Sequence, residues 1–224
     1  MNELADGAWT GKPAYLVGGG PSLKDFNWSL LSGLETVIVV NAAMRNVPRA
    51  AIFFTEDIRF IEKFHAEPWY AAFRGMKVFH ALDPQYETQA LGYDSSLTII
   101  RKHGGAWERN DKFWAKSFKE GLSWSSNSLI GALNIADLLG ADPLYLLGVD
   151  CVPTKRENPN FHSLYPPDWR SFDGQLESFR SDFQWWAAPN LRHRTVINAN
   201  PESAVTCWPR VTRESIFKNV GMAT

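Results

Sequence analysis

Three consecutive glycines, Gly18, Gly19 and Gly20, followed by Pro21 and Ser22, form the stretch of this chain with the most evident chemistry, and the apolar run Tyr15, Leu16, Val17 leads into them. Glycine lets a backbone approach a phosphate closely, and the first N–H groups of a helix stabilise negative charge. A strand, a glycine turn and a helix start at this point therefore predict a nucleotide-binding α/β unit. The spacing is GGGPS, which is neither the GxGxxG of dinucleotide-binding turns nor a phosphate loop ending in GK[ST]. Polar residues recur where other apolar runs end: Asn41 after residues 37–40, Thr55, Glu56 and Asp57 after 51–54, Asp150 after 144–147, and Asn198 closing 195–198. Each has a plainer reading: a tight turn without ligand for the glycines, a cap on the following helix for Thr55 to Asp57, a cap on the next loop for Asp150.

The elements that would position these residues follow from periodicity. Short β-branched or apolar runs at 15–17, 37–40, 51–54, 76–79, 144–147 and 195–198 alternate with segments of helical spacing. Phe60, Ile61 and Phe64 give 58–70 an apolar helical face. Ser125, Ser126, Asn127 and Ser128 offer N-caps for a helix in which Leu129, Ala132, Leu133, Ala136 and Leu139 share a face and Gly140 ends the run. A further helix is expected over 171–187. Alternation of this kind predicts one α/β domain over 1–224, Rossmann-like, with a mainly parallel sheet covered by helices on both faces. Ligands in such sheets lie at the carboxyl ends of the strands, where all the polar residues above would converge. Between 83 and 123 the periodicity fades, which predicts an irregular lid insertion with a hairpin near 97–100.

Composition sets the bounds. Of 224 residues, 45% are hydrophobic and 21% charged, and the net charge is -1. These are values of an ordinary globular protein without a global drive toward nucleic acid or anionic membrane. Two cysteines fit a reducing, cytoplasmic setting and make neither a disulfide framework nor a cysteine-rich zinc site. No apolar run has the length of a membrane span, and the first residues lack the apolar core of a signal peptide. Metal-ligand spacings and a GxSxG elbow are both missing, so the sequence supports neither an integral metal nor a serine hydrolase. Of ten tryptophans, the adjacent Trp185 and Trp186 suit core or dimer packing, which leaves a homo-oligomer open. Arg192, His193 and Arg194 form a basic cluster on a face expected to be solvated.

Three stretches together, GGGPSLKDFNWSLL, VVNAA and SSNSLIGALNIADLLGADPLYLLGVD, resemble the bacterial lipooligosaccharide sialyltransferases. They are also similar to the related domain named after archaeal 6-hydroxymethylpterin diphosphokinase, found in flagellin-glycosylation and bacteriophage proteins, and the ending INANPESAVTCWP is similar to the phage branch. The resemblance implies a cytidine- or uridine-linked nucleotide-sugar donor held by Gly18, Gly19, Gly20, Pro21 and Ser22, with Asn41 near the nucleoside. Gly19 stands where the sialyltransferases have asparagine. Ser126, Asn127 and Ser128 at the central helix start would meet phosphate or ribose, and Gly148-Val149-Asp150 matches the family's glycine-isoleucine-aspartate. Val152 stands at the first of two tyrosines that hold the leaving phosphate, and Tyr165 substitutes if its loop folds back. The family's catalytic histidine falls on His162, which would act as general base on a small-molecule or glycan acceptor without metal; a surface-loop histidine is the plainer alternative. Thr55 and Asp57 would meet ribose or acceptor. Two other readings stand beside this one. The first is magnesium-dependent pyrophosphoryl or phosphoryl transfer from ATP, with Asp57 or Asp150 as metal ligand. The second is a non-catalytic nucleotide-binding module.

Overall fold

Seven short strands build a single parallel sheet in the computed structural model, which describes residues 4–103, 114–152, 160–166 and 173–217. The strands are β1 (Ala14–Val17), β2 (Val37–Val40), β3 (Ile52–Thr55), β4 (Met76–Ala81), β5 (Thr98–Arg101), β6 (Leu144–Leu147) and β7 (Val196–Asn198), in the spatial order β5-β4-β3-β2-β1-β6-β7. The chain lays strands outward from β1 to β5, then returns to place β6 against the other side of β1. Tyr15 is thus in register with Val37 on one side and Tyr145 on the other.

Every residue of β1, β2 and β3 is buried, as parallel strands covered on both faces require. Successive side chains alternate between two cores. Leu16, Ile38, Val40, Ile52 and Phe54 face one, which is completed by helix α4 (Ser128–Leu138) and the π-helical turn Phe183–Ala187. Tyr15, Val17, Val37, Val39 and Phe53 face the other, completed by α1 (Ile58–Phe64), α2 (Pro68–Ala71), α3 (Pro84–Tyr93) and α7 (Arg213–Phe217). The doubly covered parallel sheet expected from the alternation is present.

Helix α4 departs from a one-sided amphipathic helix: all of Leu129 to Leu138 is buried. The two polar residues of that buried stretch are satisfied inside the core. Asn134 accepts the Ser123 N–H at 3.0 Å and donates to the Ala115 carbonyl, and Asp137 accepts from Trp114 Nε1, Arg194 Nε and His193 Nε2 at 2.8 to 2.9 Å. The basic cluster therefore serves partly to satisfy Asp137. Trp186 is in the core while Trp185 is 70% exposed.

Three expectations need correction. The segment read as a lid contains α3 and β5, and β5 pairs in parallel with β4 in place of a hairpin. Trp114, Ala115 and Leu122 from the same segment are in the core, and residues 104–113 lie outside the described residues. Its periodicity is weak because α3 buries little beyond Ala90 and β5 is an edge strand with partly exposed residues. The glycine turn opens onto two 3₁₀ turns (Pro21–Leu23 and Trp28–Leu31), with no α-helix between Gly20 and β2. The helix expected over 171–187 is divided into α5 (Asp173–Asp182), the π turn and α6 (Ala188–Asn190).

Candidate active site

A cleft of about 420 Å³ opens at the carboxyl ends of β1, β2, β3 and β6. It straddles the gap between β1 and β6, where the strand order reverses and where open α/β sheets hold their ligands. Of the residues singled out in the sequence, Gly18, Gly19, Gly20, Pro21, Asn41, Asp57, Ser126, Asn127, Ser128, Asp150, His162 and Tyr165 all line it. Thr55 and Ser22 do not.

The glycine turn is tied to the start of the β6 loop. Gly18 N–H donates to the Leu147 carbonyl at 2.8 Å and Gly20 N–H to the Gly148 carbonyl at 2.9 Å. A Cβ on Gly18 would stand 2.8 Å from the Gly148 oxygen, and one on Gly20 2.6 Å from the same atom. These two glycines are required by the close approach of two loops. With Pro21 lacking an N–H, Gly19 is the turn residue whose N–H has no acceptor among the described residues. The turn thus presents one donor to the cleft where the run of glycines had suggested a cradle.

Asp150 explains why. Its carboxylate accepts the Ser22 N–H and the Ser22 hydroxyl at 2.7 Å each, and Asn200 Nδ2 at 2.7 Å. It is a buried clamp joining the glycine turn, β6 and the segment after β7. Asn198 does related work, donating to the Val149 carbonyl at 2.9 Å and to Ser203 Oγ at 3.0 Å. Thr55 is fully buried and its hydroxyl accepts the Asp57 N–H at 3.1 Å, so its role is local. Asp57 caps α1 through the Arg59 N–H and holds the Arg59 guanidinium at 2.8 and 2.9 Å.

Anion-binding capacity lies instead at the start of α4. Asn127 caps the helix, its Oδ1 accepting the Leu129 N–H at 3.0 Å. Ser126 is held by Asp182, which accepts both its N–H and its hydroxyl. Neither the Ser128 N–H nor its hydroxyl has a protein partner among the described residues, and an eleven-residue helix stands behind them. Asn127 Nδ2 and Asn41 Oδ1 are also buried without a partner among the described residues. Such an unmet group costs about 1–3 kcal/mol. Asn41 and Cys151 are the non-glycine residues with positive φ among those described, at 52° and 48°, and both line the cleft. Strained backbone and unmet polar groups cluster in the same place, as they do at ligand sites.

The loop carrying His162 folds back over the glycine turn: Phe161 N–H donates to the Gly19 carbonyl at 3.1 Å. Tyr165 consequently reaches the cleft, packs edge-on against His162 with 4.5 Å between ring centroids, and is hydrogen-bonded to the Ala42 backbone. Burial pushes its hydroxyl well above the ordinary value. Burial, with the charge of Arg45, lowers His162 from its ordinary 6.5 to about 4. The ring is neutral at pH 7. Its Nδ1 accepts the Leu164 N–H at 3.3 Å, a long contact.

That shift has a stability consequence. Between pH 6.5 and 4 the unfolded histidine binds a proton that the folded one does not, so stability falls as pH drops through this window and levels off below it. The loss is on the order of 3 kcal/mol. Thermal melts of the wild type and His162→Gln at pH 7.5 and 4.5 should show a smaller acid penalty for the variant. Equal penalties would mean that His162 is not the group responsible.

Sequence reasoning placed Glu56 among the polar strand ends but missed its partner, His80. Glu56 lines the cleft and accepts from His80 Nδ1 at 3.0 Å, with His80 fully buried. Burial raises the Glu56 carboxyl, opposed by the His80 hydrogen bond and reinforced by Asp182. The available signal was a histidine interrupting the apolar run of β4. Gly131 of α4 accommodates this pair, since a Cβ there would stand 2.7 Å from Glu56 Oε1. Among the described residues no group of three or more His, Cys, Asp and Glu is placed to hold a metal ion, and no helix is long and apolar enough to cross a membrane.

No family model matches the chain, and no curated protein matches it in sequence. Solved structures do match in shape. The MAf glycosyltransferase from Magnetospirillum magneticum AMB-1 superposes with a TM-score of 0.61 at 13% identity over 95% of this chain. The sialyltransferase CstII from Campylobacter jejuni, bound to the substrate analogue cytidine-5'-monophosphate, gives 0.51 at 10% identity over 91% of this chain and 86% of its own. The structure of CST-II with trisaccharide acceptor and CMP gives 0.51 at 13% identity, over 90% of this chain and 86% of its own. The chain has a sialyltransferase-like fold. It spans about a third of the MAf glycosyltransferase, 35% of that chain.

Proposed function

We propose that this protein is a nucleotide-sugar-dependent glycosyltransferase whose donor occupies the cleft between β1 and β6. The observation that carries the reading is the pair of unmet amide groups, Asn41 Oδ1 and Asn127 Nδ2, on two residues that line that cleft. One accepts and the other donates, as the edge of a pyrimidine or ribose and the oxygens of a phosphate require. The donor phosphate would sit on the Ser128 N–H and hydroxyl and the Gly19 N–H, at the positive end of α4. The two CstII structures hold CMP, one of them with a trisaccharide acceptor, which supports a pyrimidine-nucleotide-linked donor and a glycan or small hydroxyl acceptor here.

In the reaction, the acceptor hydroxyl oxygen attacks the anomeric carbon, the bond from that carbon to the phosphate oxygen breaks, and the nucleotide leaves with the bond's electron pair. His162 takes the hydroxyl proton as the bond forms. The neutral ring is available at pH 7, and bound nucleotide phosphate would raise its proton affinity by opposing the charge of Arg45. The acceptor hydroxyl would displace the long Leu164 contact on Nδ1. Tyr165 donates toward the departing phosphate, in the place that Val152 leaves without a hydroxyl. Charge neutralisation comes from α4 and needs no metal.

ATP-dependent pyrophosphoryl transfer fits less well, because its candidate magnesium ligands are engaged: Asp57 by Arg59, Asp150 by Ser22 and Asn200. Calorimetric titration with CMP, UDP and ATP, each with and without magnesium, tests the choice. CMP or UDP should bind without metal, and Asn41→Ala and Asn127→Ala should each weaken binding about 5- to 100-fold. Magnesium-dependent binding of ATP alone would overturn the proposal, and nucleotide binding without transfer would leave only the non-catalytic module.

A further inference from the structure

His162 lines two cavities. The second, about 530 Å³, adjoins the ring between the 3₁₀ turn after the glycines, the turn after β2 and the loop that carries His162. Lys24, Arg45, Asn46 and Ser163 supply its polar lining, and Trp28 and Phe161 its apolar wall. Those two aromatic rings pack with centroids 5.2 Å apart, which fixes the wall. Two features set this cavity apart from ordinary surface. Neither Lys24 nor Arg45 has an ion-pair partner among the described residues, and no described carboxylate lines the cavity. Its charged groups are of one sign, close to a ring that also faces the donor cleft.

We infer that this second cavity binds an anionic sugar, one bearing a carboxylate or a phosphate, and presents its hydroxyl to His162. Lys24 and Arg45 would hold the acid group, Asn46 and Ser163 the hydroxyls, and the Trp28–Phe161 wall the apolar face of the pyranose. Charge-assisted bonds to a cation are the stronger kind, and Arg45 offers a planar fork that fits either acid. Calling the ligand an acceptor rests on the transferase reading; its binding does not. Arg45 also contributes to the low proton affinity of His162. An anion placed on Arg45 would relieve that influence, so occupying this cavity would strengthen the base at the moment it is needed.

The test uses the full chain and three probes: glucuronate, glucose 6-phosphate and uncharged glucose. Histidine resonances are followed by NMR through a pH titration, with the His162 signal assigned by its loss in His162→Gln. Glucuronate or glucose 6-phosphate, whichever acid the cavity prefers, should raise the His162 midpoint saturably, and glucose should not. A Lys24→Ala/Arg45→Ala double variant should lose the response, with affinity for the acid falling roughly 10-fold per cation removed, and added salt should weaken it in the wild type. CMP should still bind the double variant, with a loss much smaller than that for the acid, because Arg45 acts on the nucleotide phosphate only at a distance. If neither acid moves His162, or the double variant responds as the wild type does, the inference is wrong even where CMP binds. If an acid binds and no nucleotide does, the cavity stands and the transferase proposal fails.

Discussion

Replacing His162 with alanine is expected to lower glycosyl transfer about 10²- to 10⁴-fold while leaving CMP affinity close to that of the wild type. The magnitude follows from removing a proton acceptor beside the reacting hydroxyl. The split between rate and affinity follows from position, since the contacts proposed for the nucleotide lie on α4, Gly19 and Asn41. The pH profile adds a second readout. Only the neutral ring can act as base, and in the free protein it stays neutral down to about pH 4. The acid limb of kcat/KM should therefore fall near pH 4, well below that of an ordinary histidine, and the limb of kcat should lie higher because the bound phosphate raises the proton affinity. Undiminished turnover in His162→Ala would remove the residue from the mechanism. An acid limb of kcat/KM near pH 6.5 would mean that the ring is not held in its buried position in the free protein.

Asp150→Ala should have the largest effect on the fold of any single change in the cleft. Three donors, the Ser22 N–H, the Ser22 hydroxyl and Asn200 Nδ2, converge on its carboxylate and would be left without an acceptor. The expected loss is about 3 kcal/mol or more, a fall in Tm of roughly 6–12 °C for a chain of this size. Asp150→Asn should be milder, since the remaining amide oxygen still accepts part of the set. Thermal unfolding and CMP titration on both variants separate the clamp from a direct ligand contact. A stable Asp150→Ala protein with lost nucleotide binding would show that the carboxylate meets the ligand.

The core strands and their parallel arrangement were legible because β1, β2, β3 and β6 are short apolar runs buried on both faces, a pattern that amphipathic surface segments do not produce. The central helix was equally plain, with Asn127 capping it and apolar residues along its length. Convergence at the cleft was legible too, since polar residues that end parallel strands share one edge of the sheet. The fifth strand was not. β5 is an edge strand whose residues are half exposed, so its periodicity carries little information, and only pairing with β4 gives it structure.

Composition at each position determined which residues stand around the cleft, because strand ends and helix caps are local features that sequence spacing encodes. Which of those residues still have bonds to offer was decided by tertiary structure alone. Gly18, Gly20, Ser22 and Asp150 look like a phosphate cradle in sequence, yet the approach of the β1 and β6 turns spends their hydrogen bonds on one another. Asn127 and Ser128 look like ordinary caps and Asn41 like a polar strand end, and all three retain unmet groups. Glu56 and His80, separated by 24 positions, meet only because β3 and β4 lie side by side. The physical reason is the same in each case: a buried polar group is satisfied by whatever the fold brings within 3 Å, and that partner is set by packing between segments distant in the chain.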